Sequence, residues 1–335
     1  MENILNDKVI LVTGGTGSFG NKFSEILLKK YHPKKLIIYS RDEYKQSEMA
    51  KILSPDEYPI RYFLGDVRDK DRLLRAFDGV DYIVHTAALK QVPALEYNPT
   101  EAIKTNVDGA DNIVDAAISC GVKKVVALST DKAVNPANLY GATKLVAEKV
   151  FVSANAYAGG RVKFSVVRYG NVMGSRGSII PLYLDLKREN VGEFPVTHEK
   201  MTRFWITLDQ GVELVFKALE MSEGGEIFIP EIPSMKITDL AKAIDPAYKI
   251  RFIGIRPGEK IHETLISEDE ARNTKYIDGI YVILPQFNVT KELKAAYGAY
   301  PSLPEYFAYR SDINKNWLTV KDIEMMLKNF NRSIK

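Results

Sequence analysis

The sequence predicts a doubly wound α/β fold, in which helices cover both faces of a parallel sheet, with a smaller C-terminal lobe. The first observation is that short apolar runs alternate with amphipathic segments in the first half of the chain. These runs lie at residues 8–12, 36–39, 61–64, 82–85, 125–128 and 164–167. Such short continuous runs are typical of strands buried on both faces. The second observation is a glycine-rich turn directly after the first run, and the third is a change to an irregular pattern after Arg168.

The order of the predicted elements divides the chain into two parts. The other predicted elements are helices at residues 23–30, 105–120 and 209–221 and a strand at residues 226–230. Strand–helix alternation favours a doubly wound sheet. We predict a larger domain at residues 1–170, to which residues 205–230 return. Residues 171–204 and 231–335 then form the smaller lobe.

The composition is ordinary for a soluble protein with a packed core. Of the 335 residues, 45% are hydrophobic and 27% are charged, and the net charge is +3. A nucleic-acid-binding protein would show a clustered basic face, so we expect no nucleic-acid partner. The single cysteine, Cys120, forms no internal disulfide, and no Cys/His cluster has metal-ligand spacing, so we expect no metal. The polar start and the lack of an apolar run of ~18 residues predict a cytoplasmic protein without a membrane segment.

The turn after the first predicted strand has the spacing of a dinucleotide-binding loop. Gly14, Gly17 and Gly20 are three residues apart, and a predicted helix follows. Glycine lets the backbone approach a pyrophosphate, which binds the free N–H groups at the start of the helix. A glycine-rich turn alone is weak evidence, but its place between a strand and a helix favours a dinucleotide site. The predicted contacts in this turn are Gly14, Thr16, Gly17, Ser18, Phe19 and Gly20.

The end of the second predicted strand bears on the choice between NAD and NADP. An acidic residue there binds the ribose hydroxyls of NAD, whereas a basic residue binds the 2′-phosphate of NADP. The first polar positions are Ser40 and Arg41, and Lys45 lies nearby. Arginine suits a phosphate because its fork donates two hydrogen bonds. We predict NADP, although Asp42 and Glu43 leave NAD open.

Two further segments are predicted to border the cofactor. Asp66 and Val67 follow the third strand, where the carboxylate of Asp66 is placed to accept from the adenine amino group. Ala87, Ala88 and Lys90 follow the fourth strand and are predicted to pass beneath the cofactor. The small alanines permit close contact, although helix–sheet packing explains them equally well.

The end of the fifth predicted strand carries a candidate catalytic group. Thr130, Asp131 and Lys132 are followed by Tyr140 and Lys144, which share a face if they lie on a helix. Tyrosine, with a pKa near ~10, is a poor base at neutral pH. A neighbouring ammonium and an oxidised nicotinamide would lower that pKa. An adjacent acid and base just past a strand suit the elimination of water.

These residues resemble the extended short-chain dehydrogenases/reductases, and within them the UDP-N-acetylglucosamine 4,6-dehydratases. The first resemblance is carried by the three glycines, Thr130, Tyr140 and Lys144. The second is carried, in order, by STDKA at 129–133, NLYGATK at 138–144, RYGNV at 168–172, MTRF at 201–204 and RPGEK at 256–260. The chain is most similar to the soluble, inverting members that begin pseudaminic acid synthesis, because it retains Tyr140.

The resemblance implies a Rossmann-fold enzyme that acts on UDP-N-acetylglucosamine and keeps NADP bound. It implies that Tyr140, with Lys144 and Thr130, deprotonates the C4 hydroxyl, that Lys132 is placed to take the C5 proton, and that Asp131 protonates the departing C6 hydroxyl. The division of the C5 proton transfers among Asp131, Lys132 and Tyr140 stays open. It also implies homo-oligomers such as hexamers. The implied substrate contacts are Lys90, Asn171, Arg203, Arg256 and Glu259, with Arg176, Lys187 and Arg188 as weaker candidates.

Two other functions fit the same motifs. A UDP-sugar 4-epimerase of this fold returns hydride to C4 and has no need of Asp131 and Lys132. A non-catalytic NADP sensor would keep the fold, but such proteins typically lose the tyrosine or the lysine. Fold analogy alone does not decide among them.

Overall fold

The computed structural model describes residues 4–175 and 177–333, and its central feature is a nine-stranded sheet. The strands are β1 (Val9–Thr13), β2 (Lys35–Ser40), β3 (Ile60–Leu64), β4 (Tyr82–His85), β5 (Lys124–Thr130), β6 (Lys163–Tyr169), β7 (Asn171–Val172), β8 (Glu193–Val196), β9 (Thr202–Ile206), β10 (Ile227–Pro230), β11 (Ser234–Lys236), β12 (Lys249–Phe252), β13 (Thr264–Ile266), β14 (Thr274–Ile277), β15 (Ile280–Ile283) and β16 (Tyr309–Arg310).

Seven strands of the central sheet are parallel. They run in the order β3-β2-β1-β4-β5-β6-β10, and β15 and β14 follow antiparallel beyond β10. The order reverses between β1 and β4, which is the position where ligands bind in doubly wound folds. All six sequence-predicted strands of the first half are present, with ends shifted by at most a few residues.

Helices cover both faces of this sheet, and others belong to the smaller lobe. The helices are α1 (Ser18–Lys30), α2 (Glu43–Ala50), α3 (Lys70–Phe77), α4 (Val92–Tyr97), α5 (Pro99–Ile103), α6 (Gly109–Cys120), α7 (Leu139–Ala158), α8 (Ile179–Arg188), α9 (Leu208–Met221), α10 (Ile237–Ile244), α11 (Glu268–Ala271), α12 (Lys291–Tyr297) and α13 (Val320–Ser333). A π-helical turn, Lys104–Asp108, joins α5 to α6, and a 3-10 turn, Asp131–Ala133, follows β5.

The hydrophobic side chains form two separate cores. The larger core fills the space between the central sheet and its helices. A smaller core lies among α8, β8, β9, β11, α10 and α13, and includes Tyr183, Phe194 and Trp205. This smaller core agrees with a second lobe, but the predicted boundary at residue 231 does not describe the packing. Strands β14 and β15 extend the central sheet, and Ile280 and Val282 belong to the larger core.

Within residues 4–175 and 177–333, no helix has both the length and the apolar character needed to cross a bilayer.

Candidate active site

Two adjoining cavities open at the carboxyl ends of the parallel strands. The larger has a volume of about 500 Å³ and reaches from the glycine-rich turn to β5, α7 and β7. The smaller, about 290 Å³, lies beside the ends of β2 and β3. Both are bordered by Gly14, Ala87 and Ala88, so together they form one elongated cleft across the switch point of the sheet.

The glycine-rich turn forms the floor where the two cavities meet. Gly14 has φ +64°, and a Cβ on it would lie 2.8 Å from the Ala87 Cα, so only glycine fits. Helix α1 begins directly after Gly17, without a side-chain cap and without an acidic residue in its first turn. Its first N–H groups are therefore available to an anion. This shape fits the pyrophosphate of a dinucleotide.

The residues predicted in this turn divide between the cavities. Gly17, Ser18 and Phe19 line the larger cavity and Thr16 lines the smaller one. Gly20 lines neither cavity, because it packs α1 against the turn, where a Cβ would lie 2.3 Å from the Gly15 carbonyl oxygen.

The smaller cavity contains the residues that bear on cofactor choice. Ser40, Arg41 and Lys45 all line it. Asp42 lines it too, but its carboxylate caps α2 by accepting from the Lys45 N–H at 2.9 Å, and it pairs with the Lys45 Nζ at 2.7 Å. Arg41 is half exposed and lies 3.7 Å from Asp66.

Asp66 and Val67 also line the smaller cavity, although Asp66 is already engaged. Its carboxylate accepts from the backbone N–H of Arg68 at 3.0 Å and from the Arg68 guanidinium at 2.7 Å. Burial opposes ionisation of Asp66, but these bonds outweigh burial and lower its pKa. A contact with adenine would therefore share this carboxylate with Arg68.

The segment after β4 is fixed by a buried asparagine. Asn106, in the π-helical turn, accepts from the Leu89 N–H at 2.8 Å and donates to the Leu89 carbonyl at 3.0 Å and to the Thr143 hydroxyl at 3.0 Å. This brace holds Ala87 and Ala88 against the cleft and joins them to α7. Lys90 lines the larger cavity, where burial and the nearby charge of Lys132 lower its pKa.

Helix α7 brings Tyr140 and Lys144 into the larger cavity, four residues apart as predicted. Asn138 caps the helix by accepting from the Gly141 N–H at 2.8 Å, which fixes the first turn that carries Tyr140. Burial lowers the pKa of Lys144 to about 8, although the carboxylate of Glu148 opposes this shift.

The environment of Tyr140 differs from the expectation of a lowered pKa. Burial raises the pKa of Tyr140, and the charge of Lys132 and the contact with Thr130 offset this shift only partly. Desolvation of the phenolate dominates, since a buried anion loses its hydration. Lowering the pKa therefore requires a positive charge beyond those of the protein, such as that of an oxidised nicotinamide.

Asp131 and Lys132 form a direct pair at the end of β5. Lys132 Nζ donates to Asp131 Oδ1 at 2.9 Å, and the Thr130 hydroxyl donates to the same oxygen at 2.9 Å. Asp131 is fully buried, and its Oδ2 has no hydrogen-bond partner within the described residues. Burial alone would lower the pKa of Lys132. The negative charges of Asp131 and Glu263 outweigh burial and raise that pKa. Lys132 lines the larger cavity together with Tyr140 and Lys144.

Two charged residues beside this pair were missed by the sequence analysis. Glu263, directly before β13, lies 3.7 Å from the Lys132 ammonium. Lys260 lies 3.8 Å from Glu263 and donates to the Val134 carbonyl at 2.6 Å. Both residues come from the C-terminal part of the chain. Lys260 lies in the RPGEK block, but no sequence signal pointed to Glu263.

Most of the predicted nucleotide-sugar contacts lie outside the two cavities. Asn171 and Lys90 line the larger cavity, and the buried Asn171 Oδ1 has no hydrogen-bond partner in the described part of the chain. Arg203 is buried and donates to the carbonyls of Thr202, Ile261 and Lys260. Arg256 is exposed, and its backbone N–H donates to Glu259 at 3.3 Å.

Two of the three weaker candidates, Lys187 and Arg188, line neither cavity. Lys187 pairs with Asp245 at 2.9 Å, and Arg188 pairs with Asp185. Arg176 lies outside the described residues.

Comparison with known proteins agrees with this geometry. The family described as "Polysaccharide biosynthesis protein" matches residues 10–285. The chain belongs to this family. A protein of Campylobacter jejuni named UDP-N-acetylglucosamine 4,6-dehydratase (inverting) is 51% identical over 326 residues, which cover 96% of this chain and 97% of that protein. The resemblance to these dehydratases seen in the sequence is confirmed.

Members of the family carry more than one name. A Rickettsia akari protein named UDP-glucose 4-epimerase is 44% identical over 285 residues, which cover 83% of each chain. Among solved structures, Pen from Bacillus thuringiensis has a TM-score of 0.89 and 36% identity, and the match covers 98% of this chain and 99% of Pen. DesIV of Streptomyces venezuelae, with a TM-score of 0.67, 23% identity and coverage of 76% and 86%, shares the fold. The predicted doubly wound fold is confirmed.

Proposed function

We propose that this protein is an inverting, NADP-dependent UDP-N-acetylglucosamine 4,6-dehydratase, which forms UDP-2-acetamido-2,6-dideoxy-L-arabino-hex-4-ulose. The observation that carries the proposal is the Asp131–Lys132 pair, because Lys132 lines the same cavity as Tyr140 and Lys144. Elimination of water needs an acid and a base beside the group that oxidises C4. The names of the C. jejuni relatives support the same activity.

The cleft fits a dinucleotide along its length, from the smaller cavity over Gly14 to Tyr140. A nicotinamide dinucleotide held along this cleft, over Gly14 and beside Tyr140, would supply the acceptor for a hydride from C4 and the donor of a hydride to C6. The chain contributes the base for the first of these events: Tyr140 takes the proton of the C4 hydroxyl. Lys144, four residues along α7, lines the same cavity, and the positive charge that favours the phenolate would come from the oxidised nicotinamide.

The Asp131–Lys132 pair supplies the acid and the base for the elimination. A shift of one proton from Lys132 Nζ to Asp131 Oδ1, along their 2.9 Å hydrogen bond, turns the ion pair into a neutral amine and a neutral acid. The amine then takes the C5 proton, which the 4-ketone acidifies, and the C–H electron pair enters the enolate. Asp131 gives its proton to the C6 oxygen, and water leaves as C5 and C6 become doubly bonded. With the hydride added at C6, the proton that Tyr140 took from the C4 hydroxyl is available to return to C5 on the opposite face, which gives inversion and leaves Lys132 and Asp131 as the original ion pair.

Arg41 and Lys45 support NADP over NAD. Both line the smaller cavity, while Asp42, which left NAD open, is engaged as the cap of α2 and with Lys45. Arginine and lysine side chains favour a phosphate over a bare ribose.

The nucleotide sugar would enter from the side of β7. Asn171 and Lys90 are placed to contact the sugar, since both line the larger cavity. The exposed Arg256 and the adjacent Glu259 remain our candidates for the UDP portion. Arg203 is also retained, but to reach a diphosphate it would have to release backbone carbonyls.

The proposal places the protein in the cytoplasm as a homo-oligomer such as a hexamer, at the first step of pseudaminic acid synthesis. This placement follows from the resemblance to soluble inverting enzymes.

A UDP-sugar 4-epimerase is the second candidate, because the Rickettsia relatives carry that kind of name. Mass spectrometry of the nucleotide sugar after incubation with purified protein separates the two. A dehydratase removes the mass of one water from UDP-N-acetylglucosamine, whereas an epimerase leaves the mass unchanged. A non-catalytic sensor would change neither mass nor configuration, and the presence of Tyr140 and Lys144 argues against it.

A further inference from the structure

A buried carboxylate from the C-terminal part of the chain faces the acid–base pair. Glu263 is 2% exposed and comes directly before β13. Its Oε1 lies 3.7 Å from the Lys132 Nζ, too far for a hydrogen bond but close enough for a strong charge interaction. Its Oε2 accepts no hydrogen bond within the described residues.

The position of Glu263 is fixed by its backbone. Its N–H donates to the Ser311 hydroxyl at 2.9 Å, and its carbonyl accepts from the Ser311 N–H at 2.9 Å. The carboxylate is thus held toward cations instead of being satisfied by neutral donors. A buried carboxylate loses its hydration, so this arrangement costs free energy unless nearby positive charges stabilise the carboxylate.

Three positively charged side chains surround the carboxylate of Glu263. Lys132, Arg203 and Lys260 lie within 3.8 Å of its carboxylate, and Asp131 and Glu259 supply the other nearby negative charges. Lys90, on the cavity wall, adds a further positive charge that acts on Lys132. Burial raises the pKa of Glu263, and the charge of Lys132 opposes that shift.

The proposed elimination includes an interval in which this carboxylate matters most. Once Lys132 has taken the C5 proton, it is an ammonium again, while Asp131 still holds the proton destined for the C6 oxygen. Asp131 is then neutral, and Glu263 is the remaining carboxylate within ion-pair distance of Lys132 in the described structure.

We propose that Glu263 is a positioning residue that serves as the counter-ion of Lys132 while Asp131 is protonated. Its negative charge, which shares Lys132 with Asp131, favours protonation of Asp131 and then pairs with the ammonium that forms when C5 is deprotonated; it has no part in hydride transfer from C4. This inference rests on the proposed dehydratase function. It adds a residue of the C-terminal segment to chemistry carried out at the end of β5.

Glu263→Gln tests the inference in single-turnover reactions with UDP-N-acetylglucosamine in D₂O. Oxidation of C4 is followed by the absorbance of the reduced nicotinamide, and C5 exchange by proton NMR. We expect C5 exchange to slow about 100-fold, a typical contribution of acid–base catalysis, while C4 oxidation stays within about threefold. Reduced cofactor should accumulate, and Glu263→Asp should restore part of the C5 exchange.

Glu226→Gln is the matched control. Glu226 is another fully buried carboxylate, which accepts from the Glu223 and Gly224 N–H groups at the start of β10. This variant should show no selective loss of C5 exchange. Equal slowing of both steps in Glu263→Gln, unchanged exchange, or the same selective loss in the control would overturn the inference. A wild-type protein that forms no 6-deoxy-4-keto sugar would refute the dehydratase function itself.

Discussion

At the scale of single residues, burial and neighbouring charges together set the pKa values in the cleft. Burial raises the pKa of Tyr140 and lowers that of Lys144, whereas Asp131 and Glu263 hold Lys132 as an ammonium. Lys132 is therefore held as an ammonium beside Asp131, and the proposed elimination requires it to give up a proton before it can act as a base.

The proposed preference for NADP is tested at Arg41, an exposed side chain of the smaller cavity. Replacing Arg41 by serine should weaken binding of NADP about 10- to 100-fold, because a hydrogen bond to a charged group contributes about 1.5–3 kcal/mol. Binding of NAD should change little. Titration calorimetry with each cofactor measures both, and Arg272→Ser, at another exposed arginine, is the control. Equal loss of both affinities would contradict the assignment of NADP.

His85 makes stability depend on pH in a defined window. Burial and the charge of Lys144 lower the pKa of this histidine to about 3, so it stays neutral while the unfolded chain takes up a proton below about pH 6.5. Its contribution to stability is complete above that pH and is lost as the pH falls toward about 3.

The variant His85→Asn tests this pH dependence. In the wild type the Thr13 hydroxyl lies 2.8 Å from the His85 Nδ1, and the asparagine retains a hydrogen-bond partner for that hydroxyl. Between about pH 6.5 and 4.5, wild type should lose about 2–3 kcal/mol more of its free energy of unfolding than the variant. Urea denaturation at several pH values measures this difference. Parallel losses in the two proteins would rule out His85 as the cause.

The candidate site residues that could be predicted from the sequence all belong to local motifs. Gly14, Tyr140 and Lys144 were found because each sits at a fixed place relative to a strand or helix. Glu263 was not found, because its proximity to Lys132 depends on how β13 and β16 pack near the end of β5. A single sequence carries no signal of contacts between such distant segments.

At the scale of elements, α7 and the 3-10 turn after β5 are built against each other. A Cβ on Gly141 would lie 2.1 Å from the Lys132 carbonyl oxygen, so glycine permits the close approach of the two segments. The Asn138 side chain also donates to the Gly258 carbonyl at 2.8 Å. The Asp131–Lys132 pair and Tyr140 are thereby held close together.

Gly141→Ala should separate these elements. We expect a loss of about 1–3 kcal/mol in the free energy of unfolding, as for other overpacked sites, and at least about a tenfold fall in kcat. Gly211→Ala, on α9, is the control, because its nearest contacts would lie at an ordinary 3.8 Å. Thermal denaturation and product formation are measured for both variants. Full activity in Gly141→Ala would show that the close approach is not needed.

Strands were predicted more accurately than the first half of the 105–120 helix. Periodicity identified the buried strands because each is a short apolar run between turns. It did not reveal that Lys104–Asp108 is π-helical, because that distortion follows from the bonds of Asn106 to Leu89 and Thr143 across the fold.

At the scale of the whole molecule, the C-terminal segment completes the main sheet. Strands β14 and β15 return antiparallel to β10, and their apolar side chains join the larger core. Sequence patterns assigned them to the smaller lobe, because pairing between distant strands leaves no local trace. The chain therefore cannot be cut at residue 231 into two independent units.

Ile280→Ala tests this assignment. Ile280 is 4% exposed in β15, so its truncation should cost about 2–4 kcal/mol of the free energy of unfolding of the larger domain. Ile313→Ala, at a residue that is 60% exposed, should cost little. Urea denaturation followed by circular dichroism measures both. An Ile280 variant as stable as wild type would contradict the packing.

The proposed function requires the Asp131–Lys132 pair to perform an inverting elimination, with Lys132 in the cavity that Tyr140 and Lys144 share and Asp131 buried directly behind it. The most direct measurement is proton NMR of UDP-N-acetylglucosamine mixed with the purified protein in D₂O, without added cofactor and then with NADP⁺. We predict a new C6 methyl signal, deuterium at C5 and inverted configuration at C5. Retained configuration would contradict the inverting assignment, and an unchanged spectrum with NADP⁺ present would contradict the dehydratase function.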